Sequence, residues 1–330
     1  MRRVGESRVA VVTGASSGLG RATAYQLAAR GWRVAVAARR EHELERTAAG
    51  CRERGGEALV VPTDVTREDA VMRLAEETLA EWGRIDAWIN NAGVTLFAPL
   101  EGGSLADHRQ VIETNLHGAL HGVRAVVPVF RRQRHGTLIN IGSVLSKIGH
   151  AFVPSYVISK FALHGLSEAL RVELAEYPDI HVCTVFPYAI DTPHFQVAAN
   201  DLGRHVNAMP PVQSPDKVAR AVADLVDHPR RQRFVPRIAE LGLVLHRVFP
   251  RTMERLLYRA LGRFHLGVDE PPAAGNLFRP PAEASAIHGR RPPRLGTPAF
   301  LAWAARELLR IEVDAARHRL KQWHVTRTTP

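Results

Sequence analysis

From residue 8 onward the chain alternates between two hydrophobic patterns. Short, nearly continuous apolar runs occur at RVAVVT (8–13), WRVAVAA (32–38), EALVVP (57–62), IDAWIN (85–90), GTLINI (136–141), IHVCTVF (180–186) and RFVP (233–236). Runs of this length, rich in valine and isoleucine and without strict alternation, predict strands buried on both faces of a parallel sheet. Between them, at 19–30, 41–54, 67–82, 104–133 and 156–176, the pattern is helical. Strand–helix alternation of this kind predicts an α/β fold, a doubly wound parallel sheet of about seven strands with helices on both faces.

The alternation stops near residue 236, which divides the chain into an expected catalytic domain, 1–236, and a C-terminal extension, 237–330. The extension opens with an amphipathic stretch at 238–264, continues through a connector rich in proline and glycine, and closes on a helical segment, PAFLAWAARELLRIEVDAARHRLKQW. Within the amphipathic stretch Arg247, Arg251, Arg255, Arg259 and Arg263 recur every fourth residue, a basic stripe on a helix expected to begin at Pro250. Phe249, Met253, Leu257 and Leu261 run along another side, with Val248, Leu256 and Phe264.

Charge sharpens this division. Residues 229–330 hold 19 basic and 8 acidic side chains, so the whole net charge of +11 belongs to the last third of the chain. A helix packed on the catalytic body with a solvated basic rim is the first expectation, and attachment to an anionic membrane surface the second. Nucleic acid comes last, because no recognition motif or aromatic stacking platform accompanies the charge. An apolar content of 45% and a charged content of 23% are those of a soluble globular chain. No apolar run is long enough to cross a bilayer, and no apolar signal segment precedes Gly14, so the expected location is cytoplasmic, peripheral to a membrane at most. Cys51 and Cys183 are too few for a disulfide framework and lack a paired-cysteine motif, so no metal site is expected.

The chemistry begins at TGASSGLG, directly after the first strand run. Glycines 14, 18 and 20 at a strand-to-helix turn let the backbone approach a pyrophosphate, whose charge a helix N-terminus favours. The turn residues Gly14, Ser16, Ser17, Gly18, Leu19 and Gly20 are therefore cofactor-binding candidates, and the fold is expected to be Rossmann-type. No Lys-Ser/Thr follows the last glycine, which excludes a Walker loop. The second strand ends in Ala38, Arg39 and Arg40, where a site for NAD would present a carboxylate to the ribose. A guanidinium there suits a 2′-phosphate, so the expected cofactor is NADP(H), with NAD(H) less suited. Arg39 is the expected contact and Arg40 its alternate.

Tyr156 and Lys160 in SYVISK stand four residues apart, one helical turn, so their side chains share a face. Taken with TGASSGLG, NNAG (90–93), Asn115 and Ser143, the stretch resembles the short-chain dehydrogenase/reductase family over residues 8–236. The resemblance implies a catalytic tetrad of Asn115, Ser143, Tyr156 and Lys160. It also implies that Asn91, Ala92 and Gly93 line the cofactor, that Asp64 and Val65 border the adenine, and that Thr192 of PYAIDT approaches the nicotinamide carboxamide. Lys160 is expected to lower the pKa of Tyr156 with help from the oxidised nicotinamide. Tyr156 would then exchange a proton with the substrate oxygen, and Ser143 would hold that oxygen. Lys160 would also bond the nicotinamide ribose, and Asn115 would anchor a water of a proton relay.

The resemblance further suggests a homo-oligomer. Leu145, Phe152, Val153 and Tyr188 are expected in the substrate pocket, with His194, Phe195 and Phe97 nearby, and 188–214 is the expected lid. The mostly apolar set favours a hydrophobic ketone, aldehyde or alcohol. A non-catalytic dinucleotide sensor is the alternative expectation. Two features depart from the family pattern: Tyr188 stands where a glycine usually follows the proline, and the extension is an addition.

Overall fold

The computed structural model describes residues 8–280, 286–289 and 296–328, with side-chain surroundings as far as residue 314. The N-terminal half runs β1 Val9–Thr13, α1 Gly18–Ala28, β2 Arg33–Ala38, α2 Glu41–Arg52, β3 Glu57–Pro62, α3 Glu68–Trp82, β4 Ala87–Asn90 and β5 Leu96–Phe97. Then come α4 Leu105–Ile112, a π turn at Glu113–His117, α5 Gly118–Gln133, β6 Gly136–Ile141, α6 Pro154–Glu173 and β7 Ile180–Pro187. The short elements α7 His194–Val197, β8 Ala199–Asn200 and β9 Arg204–Val206 lead to α8 Pro215–Asp227 and β10 Gln232–Val235. The extension holds α9 Ala239–Val248, α10 Pro250–Ala260, a π turn at Leu261–His265, β11 Leu266–Asp269 and α11 Thr297–Thr328.

Seven strands form one parallel sheet in the order β10-β7-β6-β4-β1-β2-β3. This is the doubly wound arrangement anticipated from the apolar runs. Period-two geometry sorts even a continuous apolar strand onto two faces. In β1, Ala10 and Val12 join one buried cluster with Leu27, Leu44 and Val222 from α1, α2 and α8. Val11 joins the opposite cluster with Leu74, Phe130 and Leu170 from α3, α5 and α6. Trp88 and Phe130 are completely buried there, and each such side chain contributes about 1.5–3 kcal/mol on burial. The strand order reverses between β1 and β4, which pair on either side of the switch at Val11 and Trp88. A crevice opens beyond the carboxyl ends of strands at such a point.

The extension is packed onto this body. Strand β11 pairs antiparallel with β9. Leu261 and Phe264 cluster with Phe300 and Trp303 of α11 and with Met209 and Tyr188 of the body. Helix α9 differs in that it buries no residue. The break between α9 and α10 falls at Phe249, one residue before the proline expected to start the helix.

Candidate active site

The turn after β1 is a backbone cradle. Gly14 and Gly18 have φ of +67° and +52°, which only glycine adopts without strain. A Cβ on Gly20 would stand 2.2 Å from the Gly14 carbonyl oxygen, so the third glycine lets α1 press against the turn. Arg21 locks the same turn from behind. Its guanidinium donates to the Ser16 carbonyl at 2.5 Å, to Thr47 Oγ1 at 2.9 Å and to the buried Glu43 carboxylate at 2.7 Å. That bond holds the Glu43 carboxyl below its usual range against the opposing effect of burial.

The NNAG segment braces the other side. Asn91 Nδ2 donates to the Thr13 carbonyl at 2.8 Å, and the Asn91 and Ala92 amides donate to Thr13 Oγ1 at 3.0 and 3.2 Å. By helix geometry the first amides of α1 lack intrahelical acceptors, and those of Leu19 and Gly20 are available to an anion. Arg39, at the end of β2, donates to the carbonyls of Phe278 and Asn276 at 2.9 and 3.0 Å. The alternate, Arg40, is buried and donates to Ser16 Oγ at 3.3 Å. Asp64 accepts from the amide and hydroxyl of Thr66 at 3.0 and 2.8 Å. The glycine cradle, the free amides and Arg39 together fit a phosphorylated dinucleotide.

The expected tetrad gathers where β4 and β6 end. Tyr156 and Lys160 lie on one face of α6, with the Lys160 Nζ 5.4 Å from the phenol ring centre. Ser143, which caps the turn after β6 and accepts from the Leu145 amide at 3.1 Å, lines the same cleft as the Tyr156 phenol. Lys160 is buried and donates to the Ile141 carbonyl at 2.8 Å. Asn115 sits in the π turn that interrupts the predicted helix 104–133. Its Oδ1 accepts from the Val94 amide at 2.8 Å, while its Nδ2 donates to the Val94 carbonyl at 3.0 Å and to Ser159 Oγ at 3.1 Å. Asn115 and Lys160 flank Gly93, where an added Cβ would lie 3.3 Å from Asn115 Oδ1 and 3.8 Å from Lys160 Nζ.

Burial pushes the Tyr156 phenol up to about 12, with the neighbouring Ser143 hydroxyl only partly opposing it, and pushes Lys160 down to about 8. The lysine by itself therefore does not lower the tyrosine, because desolvation of the phenolate outweighs it.

The short chain dehydrogenase family matches residues 8–203 of this sequence. The chain belongs to the short-chain dehydrogenase/reductase family. An uncharacterized oxidoreductase of Bacillus subtilis (strain 168), YxnA, is 35% identical over 264 residues, 77% of this chain and 74% of the relative. An alcohol dehydrogenase from the archaeon Thermococcus sibiricus, solved in complex with 5-hydroxy-NADP, is similar with a TM-score of 0.61 and 29% identity, covering 69% of this chain and 95% of that one. A metagenomic short-chain oxidoreductase solved in complex with NADP has a TM-score of 0.58 and 31% identity over the same shares. This chain is accordingly an oxidoreductase that interconverts CH–OH and C=O groups.

The dehydrogenase cleft is continuous with a cavity of about 350 Å³. Its walls include every residue expected to touch the cofactor, from Gly14, Ser16, Ser17, Gly18, Leu19 and Gly20 through Asp64, Val65 and Gly93 to Thr192. Leu145, Val153, Tyr188, Phe97, His194 and Phe195 line it as well. Phe152 does not. It has a φ of +69° and packs beside Leu261 and Met209, outside the cavity wall. Asn115 is likewise buried behind the wall.

Tyr188, in place of the family glycine, is half-buried at the wall, and burial pushes its phenol up to about 12. Sequence reasoning missed His150, Met209, Leu257, His265 and Asn276, the last three supplied by the extension. Burial also pushes His194 down to about 4 and His265 to about 3, so both imidazoles are neutral near pH 7. Only the helical period of Leu257 signalled a buried position. His265 sits in a π turn and Asn276 in a loop, where no period exists.

Proposed function

We propose that the protein reduces hydrophobic ketones or aldehydes, and oxidises the matching alcohols, with NADP(H) as cofactor. The observation that carries this reading is the gathering of Tyr156, Lys160 and Ser143 on the wall of one cavity that Arg39 also lines. The relatives solved with NADP-type ligands support the choice of dinucleotide.

When bound, the cofactor supplies or accepts the hydride. In the proposed reduction Tyr156 gives its phenolic proton to the substrate oxygen, and Ser143 donates a hydrogen bond that holds the oxygen in line. A raised phenol pKa keeps that proton in place near neutrality, which suits the acid role. In the oxidation the same phenol must lose its proton, and a positive nicotinamide beside Lys160 opposes the burial cost. Lys160 and Asn115 would return the proton through the Gly93 corner, with Lys160 also bonding the nicotinamide ribose. Thr192 would hold the carboxamide, and the amides of the first turn of α1 the pyrophosphate. The substrate end presents Leu145, Val153, Phe97, Phe195, Met209 and Leu257 with neutral imidazoles and, among the described residues, no carboxylate, a lining for an apolar carbonyl compound.

The test is oxidation of NADPH and of NADH against a panel of apolar ketones and aldehydes, run beside Tyr156→Phe. Turnover that prefers NADPH and vanishes in the variant is the expected result. Turnover that survives Tyr156→Phe sinks the tyrosine as the acid.

We also infer a membrane-facing surface, relocated from the helix that the arginine stripe suggested. No described helix is long and apolar enough to cross a membrane. Helix α10 turns Leu256 and Ala260 inward and is covered by α11, so its apolar side is already used. On α9, by contrast, Ile238, Leu241, Val244, Val248 and Phe249 are all more than half exposed. Arg247, Arg251 and Arg255 stand beside this row without an ion pair among the described residues. An apolar row rimmed by cations suits an anionic bilayer, whereas a second copy would set arginine against arginine. Flotation with phosphatidylglycerol-containing vesicles should recover the protein, and pure phosphatidylcholine should recover far less. Leu241→Glu with Val248→Glu should abolish recovery. Equal binding to both vesicle types, or a dimer in light scattering that the double variant dissolves, would overturn this surface. The expected homo-oligomer, if formed elsewhere on the body, would survive the double variant.

A further inference from the structure

The extension reaches the cofactor cleft through two stretches, residues 273–280 and 286–289, which touch it at both ends. At the adenosine end the Asn276 and Phe278 carbonyls accept from Arg39. At the first turn of α1 the Ala286 carbonyl accepts from the Gly18 amide at 3.0 Å. At the nicotinamide end the Gly289 amide donates to the Asp191 carbonyl at 3.1 Å, beside Thr192. His288 lies 3.8 Å from the Asp191 carboxylate and 3.4 Å from that of Asp216.

The first stretch is firmly seated. Ala273 and Asn200 exchange backbone hydrogen bonds at 2.8 Å each. Gly275, with φ of +57°, presses so close that a Cβ would stand 2.2 Å from the Ala199 amide nitrogen. Leu277 is only 1% exposed, packed with Val94 and Leu96, and its carbonyl accepts from Gln110. In the second stretch a Cβ on Gly289 would meet the Thr192 carbonyl at 2.7 Å.

We propose that these two stretches are a clasp on the cofactor: they fix Arg39 to receive the 2′-phosphate and must move aside before the dinucleotide can leave. The proposal rests on the NADP(H) reading above. Its chemical sense lies in the use of carbonyls. A carboxylate at Asn276 or Phe278 would pair with Arg39 and cancel the charge a phosphate needs. Two neutral carbonyls orient the guanidinium plane, occupy two of its five donors and leave the full positive charge with three donors free. At the other end Ala286 takes the Gly18 amide but leaves those of Leu19 and Gly20 for the pyrophosphate. Asn276 Oδ1, buried without a partner at the cavity wall, is a further acceptor on the dinucleotide side of the clasp.

Release of pre-bound NADPH, chased with excess NADP⁺ and followed by fluorescence, tests the clasp without any carbonyl substrate. Gly289→Val and His288→Ala loosen the nicotinamide end and replace no residue assigned to catalysis; His288→Ala, which only removes contacts to Asp191 and Asp216, separates loosening of the clasp from pressure on Thr192. The expected result is release roughly tenfold faster in Gly289→Val, with a smaller rise in His288→Ala. The preference for NADPH over NADH should narrow in both. Hydrogen exchange on the unaltered protein supplies an independent readout should Gly289→Val fail to fold, since amides in 273–280 and 286–289 should gain protection when NADPH binds. Unchanged release in folded variants, or protection that falls on NADPH binding, overturns the clasp while leaving the cofactor assignment standing. Absence of binding by either dinucleotide to the unaltered protein would remove the cofactor reading and the clasp together.

Discussion

One wall of the cleft is built from strand ends and the first turns of helices; the other comes from loops and an interrupted helix of the extension. On the body wall each chemical group is a side chain at a defined point of the sheet: Ser143 after β6, Tyr156 and Lys160 on one face of α6, Arg39 after β2. On the extension wall, at the cofactor end, the contacts are backbone carbonyls of Asn276, Phe278 and Ala286. The difference predicts opposite sensitivities. Side-chain replacements should cripple the first wall, whereas the second should tolerate them and fail where backbone approach is blocked, as at Gly275 and Gly289.

The largest expected effect belongs to the body wall. Tyr156→Phe removes one oxygen and should lower kcat/KM on any carbonyl substrate by about 10³-fold, within the range for a lost general acid. NADPH affinity should stay within about threefold, since the phenyl ring still fills its place. Fluorescence titration beside the steady-state assay separates the two. A comparable loss of affinity would mean that the ring positions the dinucleotide, which would blur the division of labour between the walls. Next in size is Arg39→Ala, which should weaken NADPH by roughly 10- to 100-fold, the worth of charge-assisted bonds to a phosphate, and leave NADH little changed. Equal weakening of both would show that Arg39 serves mainly to hold the extension, a result that sharpens the comparison by moving this residue to the other wall.

The body wall was also the one legible in sequence. Apolar runs encode the sheet because burial on both faces leaves few polar positions in β1, β4 or β6, and those few, Thr13, Asn90, Thr137 and Asn140, are themselves buried. The glycine turn was readable because 14, 18 and 20 meet a steric demand that no other residue satisfies. Asn115 was found but its setting was not, because a π turn costs one residue of period and leaves the flanking helical patterns intact. The burial cost at the Tyr156 phenol left no trace in sequence because desolvation depends on everything packed around it, while spacing revealed only Lys160.

The extension wall left weaker traces. Any residue offers a carbonyl, so the partners of Arg39 carry no composition signal, and a proline- and glycine-rich connector reads the same whether seated or loose. The arginine stripe on α10 was visible, but whether Leu257 and Phe264 faced lipid or protein depended on α11, more than thirty residues away in sequence. The free apolar face turned out to be on α9.

A smaller effect probes the extension wall through a buried titratable ring. His265 is 2% exposed, stands edge-on to Phe97 and His150, and neither ring nitrogen has a partner. Burial first, then the neighbouring His150, pushes its pKa to about 3. The unfolded chain takes up a proton near pH 6.5, while the native ring stays neutral until about pH 3. Between those values the unfolded state binds more protons, so stability falls as pH falls, by about 1.4 kcal/mol per pH unit from this ring. At pH 5 the loss is about 2 kcal/mol relative to neutrality. His265→Leu should erase that component, leaving a shallower acid slope from His194 and His150, whose pKa values are lowered in the same direction. At pH 7 the same change should be neutral or slightly stabilising, because two unpartnered polar atoms leave the core. Urea midpoints at pH 7 and pH 5 measure both parts. An unchanged acid slope would mean that the ring is hydrated through the cavity, and that the extension closes the substrate end less tightly than it closes the cofactor end.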